Sequence, residues 1–320
     1  PAYNPKRWRL VTRVLGLPLV TKQGVEQPLR ASSAQVYGFM GGKFIREVIL
    51  ANPGDDGEPE RLGKAWSQVS AGDIQDFLHG NDLKRGIRNR YVRLLERLYD
   101  HLSMKGLVAH NPARGLALKE PSKSNQHHES TMWLNENQQA AVVKMLPDGP
   151  GWKAQRNRAM IATVLGGGVK VSEVLQLKVG AVGPRQADGS LYIEVQVVGA
   201  GRRHRTKVAP WAALLLVGWI TARAEFGLPS ELLFPAKLIG GLLNKSTVYR
   251  QCAAVLTEAG IDPAIIKRRG ARTLRNTYAM RELSEGQPLE LVGEYLGLRT
   301  DRSVEYYEEQ LKRSKQQKLI

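Results

Sequence analysis

Apolar side chains recur every three to four residues through most of the chain, and this period predicts a mostly α-helical protein. The first such run, around Ser33 to Leu50, carries Val36, Phe39 or Met40, Phe44 and Val48. After the loop NPGDDGEPE a second run covers Ser70 to Leu78, with Ser70 as N-cap and Asp73 at the third helical position, a capping-box-like start. A longer helix is predicted from about Gly86 to Lys105, with Val92, Leu95, Leu98, Tyr99 and Leu102 on one face. Its other face is expected to carry Arg85, Arg88, Arg90, Arg93 and Arg97. Residues 1–30 are basic and broken by Pro5, Pro18 and Pro28, which reads as an N-terminal arm, and residues 31–116 read as one helical domain.

The stretch 117–131, ALKEPSKSNQHHEST, is polar, apolar-poor and proline-containing, so it reads as a linker. His127 and His128 lie inside it with no further ligand spaced nearby, which favours exposed linker histidines over a metal site. A second domain, 132–320, opens with WLNENQQAAVVKML, where Asn135 caps a helix whose apolar positions include Ala140, Val143 and Leu146. Arg156 to Leu177 reads as a buried helix and a sharp turn at Gly166 to Gly168. The period then changes from 3.6 to 2. Asp188-Gly189 is a hairpin signal, Ile193, Val195 and Val197 alternate, and the turn GAGRRHR with the segment TKVAP completes a small antiparallel sheet. Helices follow over 211–225 and from about Ser246 to Ala259, the latter stopped by Gly260. A last apolar run at Leu289, Val292 and Leu296 ends at Gly297. The fold class expected is mostly α with a small antiparallel β-sheet.

Composition narrows the partners. At 320 residues the chain is long enough for two domains with separate cores, and 42% hydrophobic content argues for folding over disorder. A net charge of +17 and an isoelectric point near 10 point to a polyanion, and nucleic acid is the commonest one. A single cysteine, Cys252, excludes an internal disulfide and a cysteine-based zinc site, and fits a reducing cytoplasm. No membrane span is expected, because the most apolar stretch, Ala209 to Ile220, is too short and reads as a buried helix. PAYNPKRWRL has basic residues without a following apolar run, so no signal peptide is expected.

The segment Ala271 to Tyr307 contains T-L-R-N-T-Y-A, then L-G-L, then a tyrosine pair. It resembles the C-terminal half of the active site of the tyrosine recombinase (phage integrase) family, in its two-domain Xer-like form. Members read H-x-L-R-H-T-x-A, L-G-H, and a tyrosine nine residues after that histidine. Arg275 and Tyr307 match, while Arg272 stands at the first histidine of the box and Leu298 at the histidine of L-G-H. RNRAMIATVLGGGVKVSEVLQL is similar to the family's first box: Ser172 and Glu173 match, and the family's arginine falls on Lys170. The family's hairpin lysine falls on Arg202 when aligned on Pro210, or on Ala200 when aligned on Gly199; Arg202 needs no gap. KGLVAHNPARGL resembles the end of the family's SAM-like core-binding domain.

The resemblance implies a SAM-like helical core-binding domain followed by an α+β catalytic domain, together a clamp around duplex DNA. It implies Tyr307 as nucleophile, Arg275 as one phosphate clamp and Lys170 in place of the other. Arg272 would bind phosphate in place of histidine, Arg202 would stand for the leaving-group acid, and Glu173 would orient them. DNA contacts are expected from Arg85, Arg88, Arg90, Arg93 and Arg97, and from Arg203, Arg205 and Lys207 on the hairpin. No metal and no nucleotide cofactor is implied. Tyr306 competes with Tyr307, and adjacent helical residues point in different directions, so one alone is expected to reach the phosphate. His204 reads either as a proton donor or as a solvated turn histidine.

The function implied is site-specific recombination or integration of a mobile element through a 3′-phosphotyrosine. The partners are double-stranded DNA, further copies in a tetrameric synapse and an accessory DNA-binding protein, and the location is cytoplasmic and nucleoid-associated. Because lysine lacks the planar fork of arginine, the alternative is a recombinase-derived DNA-binding protein with an architectural or regulatory role. A nicking activity of the type IB topoisomerase kind is a third reading.

Overall fold

The computed structural model describes residues 19–20, 26–27, 31–50, 63–116, 132–197, 201–266, 269–298 and 305–312. The chain divides into two compact units, Pro1–Lys123 and Ser124–Ile320. The linker at 117–131 and most of the arm at 1–30 lie outside the described residues.

In the first unit, β1 (Leu19–Val20) pairs antiparallel with β2 (Glu26–Gln27). Helix α1 (Ala31–Phe44) runs into a π-helical turn, Ile45–Ile49. Met40 and Phe44 are buried, whereas Phe39 is 70% exposed, so the core-facing stripe passes through Met40. Helix α2 (Ala71–Gly80) starts with the expected box: the Asp73 amide donates to Ser70 Oγ at 3.2 Å and the Ser70 amide donates to Asp73 Oδ2 at 2.8 Å. Helix α3 (Arg85–Met104) buries Tyr91, Val92, Leu94, Leu95, Leu98, Tyr99 and Leu102. Phe77 meets Phe44 edge-on at 5.2 Å. Each such side chain contributes about 1.5–3 kcal/mol on burial, which is why this face decides the helix's orientation.

The arginines of α3 do not form the single solvent face expected. Arg90 and Arg93 are exposed, while Arg85, Arg88 and Arg97 are half-buried, and burial draws the Arg97 guanidinium below its ordinary pKa. At 100° per residue these five positions spread over about half of the helix circumference.

In the second unit, Asn135 caps α4 (Glu136–Lys144), accepting from the Gln138 amide at 2.9 Å. This short helix buries Val142, with Leu146 just beyond it, and leaves Ala140 exposed and Val143 half-buried. The expected apolar face is therefore rotated, because the box fixes the helix start and one side alone meets the core. Helix α5 (Trp152–Gly167) is buried without interruption from Ala159 to Gly167 and forms the centre of the unit. Gly166 and Gly167 are its last turn and not the sharp turn expected. A Cβ on Gly166 would collide with Ala212 of α7 (Pro210–Glu225), so glycine there lets two helices touch. Gly168 alone turns the chain, at φ +65°.

After the one-turn helix α6 (Val171–Val174) comes an antiparallel sheet in the order β3 (Val182–Arg185), β4 (Leu191–Gln196), β5 (Arg203–Val208). Leu191, Ile193 and Val195 face the core, and Val195 lies opposite His204. The expected turn GAGRRHR is thus shorter: its last three residues already belong to β5, because they pair with β4. Helices α8 (Lys245–Glu258), α9 (Ala271–Ser284), α10 (Leu289–Tyr295) and α11 (305–312) complete the unit. The fold is mostly helical with one small three-stranded sheet. Among the described residues no helix is long and apolar enough to cross a membrane.

Candidate active site

Three cations from three separate segments converge on one turn. Helix α10 ends in a Schellman motif, with the Gly297 amide donating to Glu294 O at 2.9 Å, the Leu298 amide to Gly293 O at 3.0 Å, and Gly297 at φ +56°. These bonds satisfy the helix's own carbonyls and leave those of Leu296 and Gly297 directed outwards. Arg275, on α9, donates to Leu296 O at 2.6 Å and to Gly168 O. Lys170, the N-cap of α6, reaches the same Leu296 O at 3.5 Å. Arg202, just before β5, donates to Gly297 O at 2.8 Å. Arg275, Lys170 and Arg202 are therefore held together by backbone oxygens.

Glu173 is the carboxylate behind these cations, with a side chain only 1% exposed. Its Oε2 accepts the Lys170 amide and its Oε1 accepts Lys170 Nζ, both at 2.9 Å. Burial pushes the Glu173 carboxyl up, but the approach of His204, the Lys170 amide and the Lys170 charge outweigh it and hold the group at about 2. His204 corrects the reading of a solvated turn histidine. Its side chain is 7% exposed, it belongs to β5, and Nε2 stands 3.7 Å from Glu173 Oε1. Its ring lies against Gly297, where a Cβ would come within 2.7 Å of Nε2.

Tyr307, on α11, donates its hydroxyl to Asn276 Oδ1 at 2.9 Å. The phenol also lies within the electrostatic influence of Arg275, on the same helix as Asn276. Burial raises the Tyr307 pKa, and the charges of Arg275 and Arg272 oppose that rise. Tyr306 is half-buried, with its ring 6.1 Å from that of Tyr307. Arg272 is exposed at the start of α9. Leu298, at the second histidine position, packs with Tyr307 and Leu311 on a small apolar cluster.

The hairpin side chains expected to contact DNA differ among themselves. Arg203 is exposed. Arg205 lies 3.9 Å over the Tyr192 ring and 3.8 Å from Glu194, and Lys207 is paired with Asp188 at 2.9 Å. Arg205 and Lys207 thus brace the sheet. Asn276 and the 296–297 carbonyls were not anticipated. The signal for Asn276 stood in the box itself, directly after Arg275; carbonyl positions carry none.

Residues 132–313 match the phage integrase family, and the chain belongs to that family, the tyrosine recombinases. It is 28% identical over 243 residues to the tyrosine recombinase XerC of Vibrio vulnificus, covering 73% of this chain and 70% of that one. In fold it is similar to the XerH site-specific recombinase bound to a palindromic difH substrate in a post-cleavage complex, with a TM-score of 0.68 and 17% identity over 90% of this chain and 79% of that one. It is also similar to a lambda integrase tetramer bound to a Holliday junction, with a TM-score of 0.62 and 14% identity over 96% of this chain and 77% of that one.

Proposed function

We propose that this protein is a site-specific recombinase or integrase of a mobile element, cleaving and rejoining DNA through a 3′-phosphotyrosine. The observation that carries this reading is the Tyr307 hydroxyl held by Asn276 within the influence of the Arg275 charge, with Arg275, Lys170 and Arg202 tied to one turn. In the reaction the Tyr307 oxygen bonds to phosphorus as its proton leaves. The bond from phosphorus to the 5′ oxygen breaks, and that oxygen takes up a proton. The cations stabilise charge on the non-bridging oxygens, and the phosphotyrosine keeps the bond energy for rejoining. Partners in this reading are double-stranded DNA, further copies of the chain in a tetrameric synapse, and an accessory DNA-binding protein in a cytoplasmic, nucleoid-associated setting. The reaction needs neither metal nor nucleotide.

Two observations favour a second reading, an architectural or regulatory DNA-binding protein with impaired cleavage. Lys170 is committed to Glu173, and Leu298 packs into an apolar cluster. Incubation with nicked suicide duplexes carrying the ends of the protein's own element separates the two. A covalent protein–DNA band on a denaturing gel supports the recombinase, whereas tight binding without any band supports the architectural role.

A further inference from the structure

His204 is a buried imidazole, and among the described residues neither ring nitrogen has a hydrogen-bond partner. Such groups are rare, because leaving a buried polar atom unpaired costs on the order of 1–3 kcal/mol. Glu173 Oε1 stands 3.7 Å from Nε2, and it is the same oxygen that Lys170 Nζ occupies at 2.9 Å. The other carboxylate oxygen is fixed by the Lys170 amide, so Glu173 stays in place whichever cation holds Oε1. The two competitors differ in freedom. The Lys170 side chain is 36% exposed on a flexible stem, and that of His204 is 7% exposed against Gly297.

We propose that His204 is a positioning residue that, when protonated, takes over Glu173 Oε1 and releases Lys170 to the substrate phosphate. This rests on the recombinase reading for its consequence but not for its first step. A shift of less than about 1 Å brings Nε2 within hydrogen-bonding distance of Oε1. The charged and titratable groups around His204 are Glu173 and Lys170 from the α6 turn, Arg275 bonded to the Leu296 carbonyl beside Gly297, Arg202, Arg203 and Arg205 from its own strand and turn, Tyr192 and Glu194 from β4, and Glu294 and Tyr295 across a cleft of about 510 Å³. A bound phosphodiester adds negative charge to this cationic site and favours the imidazolium. Histidine is the side chain whose ordinary titration lies near neutrality.

The test is covalent adduct formation on a nicked suicide duplex, measured in single turnover between pH ~6 and pH ~8. The wild-type rate should rise about tenfold toward pH ~6 as the imidazolium fraction grows. His204→Gln, with His204→Asn as a second variant in case the first folds poorly, should stay at the slow high-pH rate. Lys170→Met should be slow and pH-independent although His204 remains. A pH limb that survives His204→Gln, or one that survives Lys170→Met, overturns the proposal. A wild-type chain that forms no adduct refutes the recombinase reading and leaves the exchange itself open to a direct measurement. That measurement is the NMR titration of the His204 ring in the free protein, which should move to higher pH in Lys170→Met and to lower pH in Glu173→Gln. An unmoved ring in both variants overturns the exchange.

Discussion

The arginines of α3 and the cations at the 296–297 turn are both basic clusters, yet they are built in opposite ways. On α3 the positions follow one helix, and the two most exposed, Arg90 and Arg93, present their charge to solvent. At the turn, Lys170, Arg202 and Arg275 come from three segments and spend donors on carbonyls of a fourth. The first arrangement suits contacts that are many, weak and exchangeable. The second suits one anion held in one geometry, since donors already fixed by the fold need no reorganisation when charge develops. Substitutions should therefore behave differently at the two places.

The largest effect is expected at the proposed nucleophile, Tyr307. Tyr307→Phe should abolish any covalent DNA adduct, while Tyr306→Phe retains it, and peptide mapping of the adduct by mass spectrometry reads this directly. A linkage on Tyr306 would sink the assignment.

Arg275→Ala should lower adduct formation by about 10²–10³, the value of one positioned oxyanion donor. It should also destabilise the second unit by about 1–3 kcal/mol, because the Gly168 carbonyl loses its Arg275 donor and the Leu296 carbonyl keeps only the longer bond from Lys170. Thermal melting checks the second effect, and an unchanged melting temperature would mean that the carbonyl tethers carry no stability.

Glu173→Gln should cost about 3 kcal/mol at neutral pH, from a carboxyl at about 2 against an ordinary value of 4.5. A depressed carboxyl contributes stability that is fully present above the ordinary value and lost as pH falls from ~4.5 to ~2. Denaturant titration at stepped pH should show a smaller loss in the variant than in the wild type, the remainder coming from Asp73, Asp188 and Glu231, which are also held below the ordinary carboxylate range. Parallel curves would contradict the buried-carboxylate account.

Lys170→Arg should speed adduct formation by about tenfold or more, since a planar fork adds a second bond to the phosphate. Affinity should change only severalfold, because the charge is kept. If the variant stays inert on DNA that it binds, Leu298 and Arg202 are limiting as well and the architectural role becomes the better reading.

The smallest effects belong to α3. Arg90→Gln and Arg93→Gln should each reduce the salt slope of duplex binding by about one and leave stability within about 0.5 kcal/mol. A loss of several kcal/mol in melting experiments would place these two residues in the core-building class and erase the contrast with the turn.

Much of the fold was open to reading because its causes are local. The capping boxes at Ser70 and Asn135, the stop at Gly297 and the period change near residue 191 each involve residues a few positions apart. The box containing Arg275 and the spacing to Tyr307 were legible for the same reason: they are fixed offsets along one chain. The α3 arginines were only half legible, since periodicity places a side chain on a helix but does not say how far neighbouring packing covers it.

Other features depended on where distant segments came to rest. Arg202 meets Gly297 O across 95 positions of sequence, and Arg275 reaches Gly168 O across 107. A backbone carbonyl has no side-chain signature, so no motif announces it as a partner. His204 read as exposed because glycines and arginines surround it in sequence, yet strand pairing opposite Val195 turns it inward against Gly297. The sequence by itself determined which residue types line the site and in what order. Only the tertiary structure decided which are tied to each other, because hydrogen bonds act over about 3 Å in space regardless of separation along the chain.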